Sequence, residues 1–301
     1  MISVVPATPF LLTCLFLAVS AAPAAPPTAA PDALETILSG NYTPARASAS
    51  RPDASVLNWN IERGEHLDKI KEEISARNPD LCIFQEVDLD ARRTHRQDVA
   101  KELAEAFGMN YVFAPEFQEL GQGTAEGPAY HGQALLTKLP VRAARIIRFE
   151  HQSGWWKPRR LLISSVPLLQ RRDGGRIALV AELDHGGQIL VVYDLHLESK
   201  GTEELRLQQL DEVLSDAQRY PAQTPIIVAG DFNTFLPHSR LIPRLEKAGY
   251  RNVLGGRRVK THVLLGELDW IFVRGAIEYD RGEVLRVPGS DHFPINVIVH
   301  L

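Results

Sequence analysis

The stretch GSDHFPINVIVH, residues 289–300, sets an acid and an imidazole side by side just ahead of the chain's last apolar run. Turn chemistry at the entry to a strand needs only the Gly and Ser that come first. Asp291 and His292 are surplus to the turn, and one such dipeptide standing alone is ordinarily solvated. The question is whether other strands of this sequence are bordered in the same way.

Asn60 follows SVLNW, Gln85 and Glu86 follow LCIF, His196 follows VVYDL, and Asp231 and Asn233 follow IIVAG, each closing an apolar run. Asp269 opens WIFV much as Asp291 and His292 open FPINVIV. In a mixed sheet the starts of some strands share a rim with the ends of their antiparallel neighbours. One rim can therefore gather Asn60, Glu86, His196, Asp231, Asn233, Asp269, Asp291 and His292. Taken singly, each has an ordinary reading. Glu86 is a solvated strand end, GDFN a turn held by its Asp and Asn, and Asp269 a strand-entry residue. His196 faces away from Leu195 and Leu197 as a satisfied surface histidine. Taken together, the ends are nearly all carboxylates, carboxamides and imidazoles, the groups that bind a hard cation and move protons.

From Ser55 onward apolar runs alternate with helical patterns. SVLNWNI, LCIFQ, ALLTK, RIALVAEL, ILVVYDLHL, PIIVA, WIFV and INVIV read as strands, with a hairpin-like DHGGQ joining the fourth and fifth. Leu67, Ile70 and Ile74 share one helical face before Asn78 and Pro79 stop it, and further helices are predicted over 98–107, 203–217 and near 241–248. Hairpins mixed with strand-helix-strand units predict an α/β fold of two mixed sheets with helices outside them.

A length of 301 residues fits one large α/β domain, and 45% hydrophobic with 23% charged residues is the composition of a globular chain with a sizeable core. A net charge of −4 gives no global attraction to nucleic acid, so any polyanion must be met by local basic patches. Residues 1–30 carry no charged side chain, and FLLTCLFLAVSA is too short to cross a membrane but suits the apolar core of a signal peptide. The n-region MISVVP lacks the usual basic residue, while Val19, Ala21 and Ala24 offer small residues for cleavage. Residues 1–25 are accordingly expected to be a leader and the chain to be exported, periplasmic or secreted, with no transmembrane segment once the leader is gone. Residues 26–54, with APAAPPTAAP and TPARASASRP, read as an Ala/Pro-rich linker around a short helical stretch at 33–38, and 55–301 as the folded domain. Cys14 lies in the leader, so Cys82 alone would remain and no disulfide forms within the mature chain.

In this order the segments NWNIERG, FQEVD, HGQALLTKLPV, YDLHLES, GDFNT, LDWIFVRG and GSDHFPI resemble the endonuclease/exonuclease/phosphatase superfamily across residues 55–301. Any one of them is a weak signal; the ordered set is specific. The resemblance implies an α/β four-layer sandwich, two mixed β-sheets packed face to face with helices outside, and an active site at one rim. It implies Glu86 as principal ligand of Mg²⁺ or Mn²⁺, with Asn60 beside it and Asp291 close by, an oxygen set that suits Mg²⁺ because that ion keeps waters and takes phosphate oxygens. Asp231 and Asn233 would position or activate water, and His196 would donate to a non-bridging phosphate oxygen. His292, held by Asp269, would be base or charge partner; whether it or Asp231 takes the water's proton stays open.

For substrate the signals are thinner. Gln133 stands in HGQALL where many relatives carry Asn. Arg92, Arg93 and Arg96 follow QEVD, and GWWKPRR puts Trp155 and Trp156 beside Lys157, Arg159 and Arg160. Such a mixture holds phosphates and stacks on bases, or lies at a lipid headgroup surface, or is simply an aromatic loop packed on the domain. Thr261 and His262 occupy a loop that often lies near substrate in relatives. The expectation is a monomeric, exported, Mg²⁺-dependent hydrolase of phosphodiester bonds, in nucleic acid first, with a phospholipid or sphingolipid headgroup as the alternative and a phosphomonoester third. Arg93, Arg96, Trp155, Arg159 and His262 are the expected substrate contacts. A binding protein without turnover has no need of a histidine with an orienting Asp, and neither G-x-S-x-G nor H-E-x-x-H occurs, which disfavours serine hydrolases and zincins.

Overall fold

A computed structural model describes residues 31–43, 52–158, 169, 171–235 and 239–301. The expected leader and Arg159 lie outside the described residues. After a 3₁₀ turn at Pro31–Glu35 come β1 (Leu38–Gly40), β2 (Asp53–Arg63), α1 (Leu67–Arg77), β3 (Leu81–Leu89), α2 (Val99–Phe107), β4 (Asn110–Glu119) and β5 (Tyr130–Thr137). Then follow β6 (Val141–Arg148), β7 (Arg172–Gly174), β8 (Ile177–His185), β9 (Gln188–His196), α3 (Glu203–Ala217), β10 (Ile226–Asp231) and α4 (Leu241–Lys247). The chain closes with β11 (Arg251–Asn252), β12 (Asp269–Arg274), β13 (Glu278–Tyr279), β14 (Glu283–Val284) and β15 (Ile295–His300).

One sheet runs β1-β4-β5-β3-β2-β15-β13, with β7 on β4 and β14 on β15; the other runs β11-β12-β10-β9-β8-β6. Both are mixed. Within each, one parallel pair, β2 with β3 and β9 with β10, is joined across a helix, and the remaining pairings are antiparallel. Helix α1 ends where Asn78 adopts a left-handed conformation ahead of Pro79. Asp98 caps α2 by accepting from the Lys101 backbone N–H, and Thr202 does the same for α3 through Leu205.

Period-two alternation assigns every central strand two faces. On β2, Ala54 and Val56 meet the other sheet while Leu57, Trp59 and Ile61 meet α1 and α2. On β9, Leu190 and Val192 point between the sheets and Val191, Tyr193 and Leu195 point to α3 and α4. Three apolar layers result, one between the sheets and one under each helix pair, which gives the expected four-layer sandwich.

Three features depart from expectation, the first being β6, a strand the sequence reading did not include. The stretch read as linker is partly built in: Leu38, Ser39 and Gly40 pair with Phe113, Val112 and Tyr111, and the Tyr42 ring stacks on Tyr111. Strand β4, buried along all ten residues, was not foreseen, because Pro115 interrupts NYVFAPEFQE; it sits where the register with β5 slips, a bulge that needs no ladder N–H.

Candidate active site

On β2, β3, β9, β10 and β12 the face that looks between the sheets is apolar at one end and polar at the other. Val56 gives way to Asn58 and Asn60, Ile83 to Gln85, Val192 to Asp194 and His196, Ala229 to Asp231, and Ile271, read backwards along an antiparallel strand, to Asp269. First comes a buried polar layer in which Gln85 Nε2 donates to Asn58 Oδ1 at 3.0 Å and to Asp194 Oδ1 at 2.7 Å. Burial raises Asp194 well above the carboxylate range, with Glu116 adding to the rise. Beyond that layer lies the rim.

On the second sheet the register alone assembles the proton carriers. Asp231 of β10 is the direct partner of His196 on β9 and of Asp269 on β12. His196 Nε2 lies 3.7 Å from Asp231 Oδ2 and 4.0 Å from Glu86 Oε1. His292 Nδ1 contacts Asp269 Oδ2 at 2.8 Å, and its Nε2 stands 3.9 Å from Asp231 Oδ2. Burial opposes charge on His292, but Asp269, Asp231 and Asp291 outweigh it and push the imidazole up to about 10. Asn233, at φ 50°, donates its side-chain amide to the Leu197 carbonyl, and its backbone N–H donates to Asp231 Oδ1 at 2.9 Å.

On the first sheet the placement is irregular. Glu86 falls where the β3–β5 register slips and takes φ 55°, a left-handed conformation costly for a side-chain-bearing residue. Asn60 Nδ2 donates to Glu86 Oε1 at 3.4 Å and to Asp231 Oδ2 at 3.3 Å, tying the two sheets together. Burial would raise Glu86, yet His131, His196, Arg63 and Arg172 hold it far below the carboxylate range, so it stays ionised. An ionised carboxylate with its side chain 24% open to solvent suits a hard divalent cation, whereas Asn60 turns its Nδ2 to Glu86 and its Oδ1 to the Glu62 N–H, so its oxygen would have to turn to join such a site. Among the described residues, ligand atoms also cluster within 4.8 Å in His262, Asp291 and His292, and in Asp231, Asp269 and His292. Asp291 is thus drawn to the two histidines, and Glu86 belongs to neither group.

The GSDH turn is stitched onto β2. Ser290 Oγ donates to the Asn60 carbonyl at 2.7 Å, the Asp291 N–H donates to Glu62, and Trp59 Nε1 donates to the His292 carbonyl at 2.9 Å. His262 packs edge-on against His292 with ring centroids 4.7 Å apart. Its Nδ1 accepts from the Leu264 and Leu265 N–H groups, which leaves Nε2 to face Asp291 Oδ2 at 3.4 Å.

The expected substrate residues divide. His262 and Trp155 are at the site: Trp155, 52% exposed, lines a cleft of about 640 Å³ together with Glu86, Arg63, Arg171, Arg172 and Lys200. Arg93 is not free to hold substrate, since its guanidinium grips Asp88 through two bonds of 2.7 Å and also meets Glu119. Arg96 turns to Thr124 and Glu126. Trp156 lines the same cleft, with its indole N–H donating to Glu198 and its ring packed against Phe117, Arg172 and Arg176. Gln133 bridges the sheets, donating to the Ile177 carbonyl and accepting from the Leu179 N–H.

Residues missed from sequence stand just behind these. Glu116 on the unforeseen β4 lies 3.4 Å from His196 Nδ1 and pairs with Arg176; burial works against its charge, but Arg176 and His196 bring it down to about 2. Asp88 and His131 form a second buried acid–imidazole pair at 3.0 Å. Both lie inside quoted segments, FQEVD and HGQALLTKLPV, and period two points to Asp88 from Glu86 and to His131 from Gln133; Glu116 carries no such signal.

The model of the Endonuclease/Exonuclease/phosphatase family matches residues 57–292. The chain belongs to this family. Among solved structures it is similar to the human Nocturnin catalytic domain with bound sulfate, at 20% identity and TM-score 0.64 over 88% of this chain and 97% of that one. It is likewise similar to an endonuclease/exonuclease/phosphatase from Beutenbergia cavernae, at 20% identity and TM-score 0.62 over 83% and 72%. A mannosyl-6-phosphatase from Bacteroides thetaiotaomicron follows at 16% identity and TM-score 0.58 over 82% and 100%. No curated protein matches. Members of the family are hydrolases of phosphoester bonds, and the resemblance carried by the seven motifs is confirmed.

Proposed function

We propose that this family member is an exported phosphodiesterase that works with Mg²⁺ or Mn²⁺. The observation that carries the reading is the meeting of Glu86, Asn60 and His196 with Asp231, Asp269 and His292 across the two sheets. A divalent ion would be held by Glu86, with Asn60 beside it, and would neutralise charge on the phosphate, while Asp291, the third expected ligand, faces His262 and His292 here. His292 keeps its proton under the influence of three carboxylates and so serves as cation and proton donor, while Asp231, placed by Asn233, takes the proton of the attacking water. His196 faces the same space and donates to a non-bridging oxygen.

For the nucleic-acid reading, Trp155 and the cations of its cleft remain as support, whereas Arg93 and Arg96 are engaged elsewhere. The lipid-headgroup reading is favoured by a different observation: exposed apolar side chains gather beside the site. The reaction class is tested by hydrolysis of bis(p-nitrophenyl) phosphate with Mg²⁺, with Mn²⁺ and with EDTA. Turnover that needs the metal supports the proposal, and undiminished turnover in EDTA rejects it.

A further inference from the structure

Among the described residues the exposed large apolar side chains are Trp155, Leu169, Phe235, Val263, Leu264 and Leu265. Scattered singly, such residues need no explanation; gathered in one place, they mark a surface that meets something apolar. They fall into two groups, one in the cleft of Glu86 and one on the segments next to Asn233 and His262. Trp155 and Leu169 line the cleft that contains Glu86. Phe235 and Leu265 line a second cleft, of about 610 Å³, with Thr234 and Trp270. The Val263 N–H donates to the Asp291 carbonyl at 2.8 Å, and the Leu264 and Leu265 N–H groups donate to His262 Nδ1.

Leu264, at 83% exposure, stands at the tip of this loop, and the tip is anchored. Lys260 Nζ donates to the Val263 carbonyl at 2.6 Å, and the Thr261 N–H donates to the Gly266 carbonyl at 2.9 Å. The apolar side chains are therefore presented on an ordered loop rather than on a free one. Around them lie exposed cations on both sides of the site: Arg257, Arg258 and Lys260 on this loop, and Lys157, Arg171 and Lys200 across the rim. These cations flank the rim's own carboxylates in a chain whose net charge is −4.

We propose that the rim docks on a lipid surface bearing anionic headgroups, with Leu264 and its neighbours entering the apolar boundary and the flanking cations meeting the phosphates. Apolar and aromatic side chains ringed by Lys and Arg are the composition of an interfacial element. A nucleic acid matches the cations and Trp155 but offers nothing apolar to Val263, Leu264 and Leu265. On the phosphodiesterase reading above, on which the substrate half of this inference rests, the docked rim faces headgroup diesters.

The test is co-sedimentation of the leader-free protein with phosphatidylglycerol/phosphatidylcholine vesicles and with phosphatidylcholine alone, for wild type, Leu264→Glu and the pair Arg257→Glu/Arg258→Glu. Hydrolysis of bis(p-nitrophenyl) phosphate is followed in parallel. Wild type is expected to prefer the anionic vesicles. Leu264→Glu should lower partition by about tenfold or more, and the arginine pair should abolish the preference for negative charge. Both variants should keep soluble-diester turnover within about twofold, because the contact to His262 is made by the Leu264 backbone N–H, which the substitution retains, and the two arginine side chains are exposed. Equal partition of Leu264→Glu and wild type overturns the inference, as does wild type that ignores vesicles but binds a single-stranded oligonucleotide. Absence of diester hydrolysis in wild type rejects the phosphodiesterase reading and leaves the vesicle data to judge the surface.

Discussion

Asn60 and Glu86, on the first sheet, stand where strand register slips; His196, Asp231 and Asp269, on the second, stand where it does not. Around the first pair the backbone is strained, with Glu62, Arg63 and Glu86 at φ 45°, 69° and 55°. Such residues cost about 1–3 kcal/mol each and persist only where the surroundings over-determine them. The second trio needs no strain, because pleating already turns alternate residues to one face and pairing lines them up. The half suited to a cation is set by bulges that re-aim side chains, and the half suited to proton transfer by regular sheet. The first should tolerate change in the metal's terms, the second hardly at all.

The largest break in that comparison is His292→Ala, which should lower kcat on a soluble diester by about 10² to 10⁴. Asp269→Asn should lose a large part of the same factor, and the double variant should be far less impaired than the product of the single losses, because the two act as a unit. Independent, multiplying losses in kcat would dissolve the pair.

The regular half also depends on a close approach. A Cβ on Gly230, at φ 138°, would meet the Leu195 carbonyl oxygen at 1.9 Å. Gly230→Ala should cost about 1–3 kcal/mol in urea unfolding, through a shift of β10 against β9 that also separates Asp231 from His196. An unchanged midpoint would show that the register there is slack.

Asp194 sharpens the contrast more gently. Its folded pKa is raised by burial, so the stability it contributes is fully present below the ordinary carboxylate range and is lost as pH rises through the folded value. Asp194→Asn should flatten the pH dependence of Tm and leave the protein at least as stable as wild type at mildly alkaline pH. A variant less stable there than wild type would mean that the ionised form is the one held in the fold. Smallest of all, Arg96→Ala should change turnover by less than about twofold, since this side chain serves the 124–127 turn; a large rise in KM would return it to the substrate side.

The rim was legible because residue type and strand polarity are local properties. Alternation on ILVVYDLHL turned His196 away from Leu195, and the open choice was only what lay on that other face; it proved to be the neighbouring sheet, with His196 2% exposed. Helix α3 was readable end to end for the same reason. Arg93 and Arg96 are engaged by carboxylates, Arg93 by Asp88 in the neighbouring FQEVD segment and by Glu119, Arg96 by Glu126 thirty residues away, and the more distant pairings leave no mark on local pattern. Glu116 was hidden by Pro115, whose bulge destroys the alternation that would have announced a strand. The placement of these apolar side chains is a property of the folded surface, drawn from Trp155, Leu169, Phe235 and Val263 to Leu265.

The division of labour between the halves is tested most directly by one titration, the metal dependence of bis(p-nitrophenyl) phosphate hydrolysis by Glu86→Gln and His292→Ala. Glu86→Gln should need far more Mg²⁺ for half-maximal rate, by about 10- to 100-fold or more, and recover turnover as the metal is raised. His292→Ala should saturate at the wild-type metal concentration with a kcat that no amount of metal restores. The same response in both variants, or rescue of His292→Ala by metal, would contradict the account.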